Sequence, residues 1–133
     1  MADPFPIRPV TADEFASFLH VHHHAFNAGP PSAARSARAL RQFEQERSLA
    51  AFDTALPADS ALVGTTGVYS LRMTVPGTTM PVAGVSLVSV SPTHRRRGVL
   101  RSLLRKRRPL APGGGRFRDG APRADRRPGG RRP

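Results

Sequence analysis

The chain has 133 residues, 38% of them hydrophobic, and a formal net charge of +12, a length that suits one ordinary domain. It contains no cysteine, which excludes disulfides, thiolate metal sites and a cysteine nucleophile. The longest near-continuous apolar stretch, residues 82–90, is too short to span a membrane, which takes about 20 residues. The amino terminus has no basic segment followed by an apolar one. We therefore predict no membrane partner, no secretory signal and a cytoplasmic location.

The positive charge is concentrated at the carboxyl end of the sequence. Residues 1–104 carry 10 basic and 7 acidic side chains, whereas residues 105–133 carry 11 basic and 2 acidic ones. In the second segment, which is rich in Arg, Gly and Pro, Leu110 and Phe117 are the only large apolar residues. Such a composition cannot bury a core. We therefore predict a folded domain over residues 1–104 and a disordered basic tail over residues 105–133.

A strand and a helix are predicted near the amino terminus. Residues 6–10 favour a short edge strand, and the Thr11–Glu14 capping box precedes apolar residues at helical spacing up to about Phe26. His20 and His24 are four residues apart on this helix and could contact one metal ion. No carboxylate pattern typical of zinc sites accompanies them. We expect no metal site, and the histidines are interpreted as stabilising the helix carboxyl terminus.

The pattern after residue 31 changes from helical to β-type. A second helix is predicted over residues 33–47, with Leu40 and Phe43 facing the core. Strands are predicted over residues 48–53, 61–75 and 79–91. Pro and Gly at the centre of the Val75–Thr78 turn predict that the last two strands form an antiparallel hairpin. The fold class is therefore α/β, with a mixed, mainly antiparallel sheet and flanking helices.

The last predicted strand changes its alternation part-way along. Val85 and Leu87 would lie on one face, and Val88 and Val90 on the other. Two structures explain this change: a central strand buried on both faces, or a β-bulge near Leu87–Val88. The sequence leaves both alternatives open.

A basic turn joins this strand to a third helix. After Pro92 come Arg95, Arg96 and Arg97, then Gly98, and helical spacing resumes from Val99. Free N–H groups at a helix amino terminus attract anions, and arginines add charge-assisted hydrogen bonds. A glycine here allows close approach of the backbone to a ligand. The pattern fits a phosphate or pyrophosphate loop as well as a solvated basic turn or a nucleic-acid contact.

The stretch Val88–Arg101, VSVSPTHRRRGVLR, resembles the acetyl-CoA-binding motif of the GNAT superfamily of N-acetyltransferases, whose loop reads Arg/Gln-x-x-Gly-x-Gly/Ala. Residues 69–77 and 81–86 are similar to one branch, the enhanced intracellular survival (Eis) acetyltransferases of actinobacteria. The resemblance is strong over residues 60–104, weaker over residues 1–59 and absent afterwards. Leu100 stands where many members of the superfamily have a second Gly or Ala.

The resemblance implies the amino-terminal part of the GNAT fold and transfer of an acetyl group from acetyl-CoA to an amine, such as an aminoglycoside or a lysine side chain. Backbone groups of Val88, Ser89 and Val90 would pair with the pantetheine arm, and an N–H at the bulge would polarise the thioester. Phe26 would line the amine pocket. The residues implied to hold the pyrophosphate are Arg96, Arg97, Gly98, Val99, Leu100 and Arg101.

Whole enzymes of this branch are much longer, oligomerise, and take their acid–base groups from segments beyond the cofactor helix. Catalytic residues therefore stay unassigned; Tyr69 is interpreted as structural and His94 as a loop residue. The switch in composition after Leu104 has two explanations. One is a reading-frame shift in GC-rich DNA, which would leave a truncated enzyme of doubtful activity. The other is a genuine basic arm, in a non-catalytic protein that binds nucleic acid or another polyanion through residues 105–133.

Overall fold

The computed structural model describes residues 4–107. The predicted tail, residues 105–133, lies outside the described residues beyond Arg107, so the expectations about its disorder, its reading frame and its polyanion binding stay predictions. The described helices and strands, in chain order, are β1 Ile7–Pro9, α1 Phe15–Ala25, α2 Ala33–Gln42, β2 Leu49–Phe52, β3 Leu62–Val75, β4 Thr78–Val90 and α3 Val99–Arg107. Short 3-10 turns occur at Gln45–Arg47 and Pro92–His94. None of the helices in this part of the chain is long and apolar enough to cross a membrane.

The four strands form one sheet in the order β1-β2-β3-β4, and each pair is antiparallel. Strands β3 and β4 pair up to Val75 and Thr78, so that two residues, Pro76 and Gly77, form the turn. Gly77 has a φ of 83°, as the third residue of a type II turn requires. The predicted hairpin and the predicted α/β class are confirmed.

The helices pack on opposite faces of this sheet. Helix α1 packs through Phe15, Phe18 and Leu19 against a cluster that includes Ala50 and Leu62. Helix α3 packs on the other face against the cluster of Phe5, Ile7, Leu49, Ala51 and Val63. Side chains alternate along a strand, which is why sequence neighbours in β2 and in β3 belong to different clusters. The sheet is thus covered on both faces over β1, β2 and the first half of β3, whereas residues 71–74 and 78–81 of the hairpin are exposed. Both helices reach the same end of β4.

Helix α1 begins later than the capping box predicts. Glu14 is its N-cap and makes no side-chain cap bond into the helix. One half of the box forms, because the Thr11 N–H donates to Glu14 Oε2 at 3.0 Å. The same carboxylate accepts two hydrogen bonds from Arg8, at 2.6 and 2.8 Å. The chain between Thr11 and Glu14 is therefore a turn that leads into the helix, not its first turn.

Helix α2 ends at Gln42, five residues before its predicted end. Phe43 adopts an extended backbone with ψ of 124°, and its ring packs 4.6 Å from Phe15 and 5.2 Å from Phe18. The inward position predicted for Phe43 is correct, whereas Leu40 is 46% exposed. Breaking the helix lets the aromatic ring reach the α1 cluster, and this tertiary contact overrides the helical propensity of the segment.

Candidate cofactor-binding site

Strand β4 contains the bulge that its alternation suggested. Gly67 pairs with Ser86 and Thr65 with Ser89, which leaves two residues of β4, Leu87 and Val88, opposite one residue of β3. Leu87 adopts a left-handed backbone with φ of 53°, uncommon for a residue other than glycine. Strand β4 lies at the edge of the described sheet, so the alternative of a central strand is wrong.

A buried hydroxyl of β3 fixes the orientation of the bulge. Thr65 Oγ1 donates to the carbonyl oxygen of Leu87 at 2.7 Å and lies 2.5 Å from Ser89 Oγ, which then donates to it. The described peptide bonds include no cis bond, and in a trans peptide the C=O and the following N–H point in opposite directions. The Val88 N–H therefore points away from Thr65, toward the free edge of the sheet. Thr65 was not identified from the sequence: it pairs with Ser89 beside the bulge, whereas Thr66, an equivalent hydroxyl residue, is the one opposite the bulge.

A cavity of about 560 Å³ opens at this end of β4, between the end of α1 and the start of α3. It contains eight of the nine predicted cofactor residues, and Phe26, the predicted amine-pocket residue, stands at its rim with 65% of its surface exposed. Arg97 is the predicted residue that does not line it. The lining residues are Ala25, Phe26, Val88, Ser89, Val90, His94, Arg95, Arg96, Gly98, Val99, Leu100 and Arg101.

The amino terminus of α3 presents unbonded amides at this cavity. The Ser102 N–H donates to the carbonyl of Gly98 at 3.0 Å, and amides before Ser102 have no acceptor within a helix that begins at Val99. Gly98 has a φ of 85°, with open space where a Cβ would stand. The helix dipole and these amides favour an anion. This end of the cavity has the donors that a phosphate group needs.

The arginines of the turn lie in different surroundings. Arg95 donates through Nη2 to the carbonyl of Ala25 at 3.1 Å, which ties the turn to the end of α1. Arg96 is exposed, lines the cavity and has a φ of 64°. The Arg97 guanidinium carbon instead lies 4.7 Å from the centre of the Phe5 ring, and its Nη1 lies 4.0 Å from an oxygen of Asp53. Arg95 lines the cavity although it was not among the predicted site residues, whereas Arg97, which was, does not.

His94 is buried, with 7% of its surface exposed, in the 3-10 turn that leads to these arginines. Its Nε2 lies 3.0 Å from Asp53 Oδ2 and its Nδ1 lies 2.8 Å from Thr93 Oγ1. A hydrogen bond from the Ala55 N–H and then the one from His94 hold the pKa of Asp53 below its usual value. A carboxylate that is ionised and fixed in this way is suited to a structural ion pair.

The other residues singled out in the sequence lie apart from the cavity lining. The rings of His20 and His24 stack with their centres 6.1 Å apart, and residues 4–107 contain no group of three or more metal-ligating side chains. Tyr69 pairs with Gly84 in the β3–β4 ladder. His20, His24 and Tyr69 therefore have no contact with the cavity, which is lined mainly by the end of β4, the basic turn and the start of α3.

Comparison with known proteins decides the family. A model of the acetyltransferase (GNAT) domain matches residues 6–108. The chain belongs to the GNAT acetyltransferase family. The crystal structure of Eis1 from Mycobacterium abscessus is similar to it with a TM-score of 0.62 and 31% identity, over 77% of this chain and 24% of that one.

Two curated relatives place the likeness within the family. The N-acetyltransferase Eis of Mycobacterium tuberculosis is 38% identical over an alignment of 81 positions that covers 51% of this chain and 20% of that protein. An uncharacterized N-acetyltransferase of Streptomyces avermitilis is 47% identical over 64 residues, 47% of this chain and 14% of that protein. The resemblance to the Eis branch is confirmed, and the chain spans no more than about a fifth of the length of these relatives.

Proposed function

We propose that this GNAT-family chain binds acetyl-CoA in the cavity at the end of β4 and takes part in acetyl transfer to an amine. The cavity itself carries the proposal, because it joins a bulged strand edge, the free amides of α3 and the side chain of Arg96. Its strand side offers backbone groups and apolar side chains, and its helix side offers positive charge. A ligand with an extended amide-containing arm and a diphosphate fits these two surroundings.

Different residues are proposed to bind different parts of acetyl-CoA. The edge of β4 at Val88–Val90 pairs with the pantetheine arm in the manner of an added strand, and the amides at the start of α3, with Arg96 and Arg101, hold the diphosphate. Acetyl-CoA supplies the acetyl group as a thioester. The Val88 N–H, turned outward by the hydrogen bond between Thr65 and Leu87, stabilises negative charge on the thioester oxygen.

The acceptor amine is proposed to approach past Phe26. The exposed ring gives an apolar surface, and its face attracts a cationic amine. The acceptor class, an aminoglycoside or a lysine side chain, follows from the Eis resemblance and stays a proposal. His94 is the titratable residue of the cavity lining besides the arginines, and it is already bonded to Asp53 and Thr93. We therefore assign no general base among the described residues.

Calorimetric titration of acetyl-CoA into the full chain tests this function. Arg96→Ala removes a charge-assisted hydrogen bond to the diphosphate, so its dissociation constant should rise about tenfold or more. Arg38→Ala is the matched control, because Arg38 is an exposed arginine of α2, and it should leave the affinity unchanged.

A second ligand separates a shaped site from general attraction to the basic tail. Tripolyphosphate carries similar charge and has no pantetheine arm, so it should bind more weakly than acetyl-CoA and compete with it only at higher concentration. Equal affinity for the two ligands, or equal loss in the Arg96→Ala and Arg38→Ala variants, would overturn the proposed function.

A further inference from the structure

We propose that Asp53, His94 and Arg97 form an anchor that holds the Arg95–Gly98 turn in its binding shape, and that Arg97 is a positioning residue that does not contact the diphosphate. The inference rests on the proposed function, since it assigns the turn to a CoA diphosphate. It also gives the three consecutive arginines different roles: Arg95 and Arg96 line the cavity, and Arg97 supports the turn that carries them.

The fixed end of the anchor is Asp53, which follows the last residue of β2. Its N–H donates to the carbonyl of Ala61 at 2.7 Å, and its Oδ1 accepts the Ala55 N–H at 2.9 Å. The second carboxylate oxygen remains for His94 Nε2, 3.0 Å away. An ionised carboxylate only accepts hydrogen bonds, so His94 carries its hydrogen on Nε2. Asp53 is thus held by the backbone while it holds the histidine.

His94 transmits this position to the start of the turn. Its ring is buried, packs edge-on against Phe5 at 5.9 Å, and bonds through Nδ1 to the Thr93 hydroxyl at 2.8 Å. The backbone N–H of His94 donates to the carbonyl oxygen of Ser91 at 2.8 Å. Both ring nitrogens and the backbone amide are bonded, so the residue immediately before Arg95 has little freedom to move.

Arg97 fixes the other part of the turn to the same carboxylate. Its charge lies over the Phe5 ring, whose face attracts a cation, and near Asp53 Oδ2. Its sequence neighbours on either side, Arg96 and Gly98, both have left-handed backbones. A non-glycine residue in that conformation is strained, and such strain persists only where the surroundings hold it. The anchor supplies those contacts.

The first test compares two ligands in Asp53→Asn. The amide keeps the size of the side chain and removes the charge that faces His94 and Arg97. We expect CoA to bind about tenfold or more weakly, as for loss of a hydrogen bond to a charged group, and pantetheine, which lacks the diphosphate, to bind as in the wild type. Asp59→Asn, at an exposed aspartate, is the control and should leave both affinities unchanged. Equal losses for CoA and pantetheine would overturn the proposal.

The salt dependence of CoA binding separates support from contact. A cation that neutralises a phosphate makes binding more salt-dependent. Arg96→Ala should therefore lower both the affinity and its salt dependence, measured above about 0.1 M salt, where the screening length is about 10 Å or less. Arg97→Ala should lower the affinity and retain the wild-type salt dependence. A salt dependence reduced as much in Arg97→Ala as in Arg96→Ala would assign Arg97 to the diphosphate instead.

A measurement without ligand keeps the inference separate from the proposed function. Hydrogen exchange of the two hydrogen-bonded amides that bracket the turn, those of His94 and Ser102, should become faster in the full-chain Asp53→Asn variant. It should stay unchanged in Asp59→Asn. Arg97→Ala, with a half-exposed side chain, gives the same test where Asp53→Asn fails to fold. If the wild type does not bind CoA, the proposed function is wrong while exchange still tests the anchor. Unchanged exchange in folded Asp53→Asn or Arg97→Ala would overturn it.

Discussion

Replacement of Arg107 by methionine should make this protein more stable. Arg107 occupies the third position of the buried stripe of α3, after Val99 and Leu103, and is only 6% exposed. Its Nη2 donates to the carbonyl oxygens of Arg47 and Thr66, at 3.0 and 2.9 Å. Its Nε and Nη1 are buried without a hydrogen-bond partner, and no carboxylate pairs with it among the described residues. The helix therefore buries a cation where its periodicity calls for an apolar side chain.

The size of the effect follows from three opposing contributions. Desolvation, and then the nearby charge of Arg47, lower the pKa of Arg107 from its usual range to about 10. That shift corresponds to a penalty on the order of 3 kcal/mol for the charged form, which relaxation of the side chain and water penetration roughly halve. Methionine removes this penalty and gains about 2 kcal/mol from apolar burial, but loses two hydrogen bonds of about 1 kcal/mol each. The expected net gain is about 1–2 kcal/mol.

The pH dependence has a definite sign. Because the folded-state pKa is depressed, the penalty is complete at neutral pH, where the guanidinium is charged in both states. It is relieved only as the pH rises above about 10, toward the higher pKa that the guanidinium has in the unfolded chain. The comparison of wild type with Arg107→Met therefore belongs near pH 7, where the difference in stability is largest.

Thermal unfolding of the full chain, followed by circular dichroism, is the assay. A gain of 1–2 kcal/mol should raise Tm by about 5–12 °C for a domain of this size. Arg105→Met is the control, since Arg105 is an exposed residue of the same helix turn, and its Tm should change little. A Tm lowered in Arg107→Met but not in Arg105→Met would refute the reasoning, because the two carbonyl contacts would then outweigh the buried charge.

Three further substitutions test other contacts. The bonds from Arg8 hold the pKa of Glu14 at about 2, below its usual 4.5. Glu14→Gln should therefore lower the free energy of unfolding by up to about 1 kcal/mol at pH 7. Urea midpoints should show that this loss vanishes as the pH falls from 4.5 to 2. Gly98→Ala should cost about 1 kcal/mol, because φ is 85° there, whereas calorimetry of Gly29→Ala should show no change. Gly64→Ala would place a Cβ 2.8 Å from a methyl of α3, so Tm should report a loss of about 1–3 kcal/mol; a neutral result would contradict the tight packing.

The bulge shows what strand periodicity can and cannot establish. The change of alternation between Leu87 and Val88 located an irregularity within one residue, because a period-2 strand has few ways to shift its apolar face. The same pattern also fits a central strand. Which structure occurs depends on whether another strand pairs with β4, and such pairing is non-local. Thr65, which fixes the bulge, is 22 residues from Leu87 in the sequence.

The end of α2 could not be predicted for a related reason. The segment 33–47 is composed of good helix formers, and Phe43 fits its helical spacing. Contact with Phe15 and Phe18 requires an extended backbone at this residue. Local propensity is worth only a few tenths of a kcal/mol per residue, so burial of one aromatic ring outweighs it. Periodicity identified the correct inward residue but not the conformation that carries it inward.

The arginines on either side of α3 show why residue type alone does not assign a role. Arg95, Arg96 and Arg97 are indistinguishable in the sequence, and their different contacts arise from a turn whose left-handed residues rotate successive side chains in different directions. At the other end of the helix, Arg107 completes an apolar stripe without an acidic partner. The change of reading frame predicted near Leu104 stays a prediction, which translation of all three frames across these codons would test.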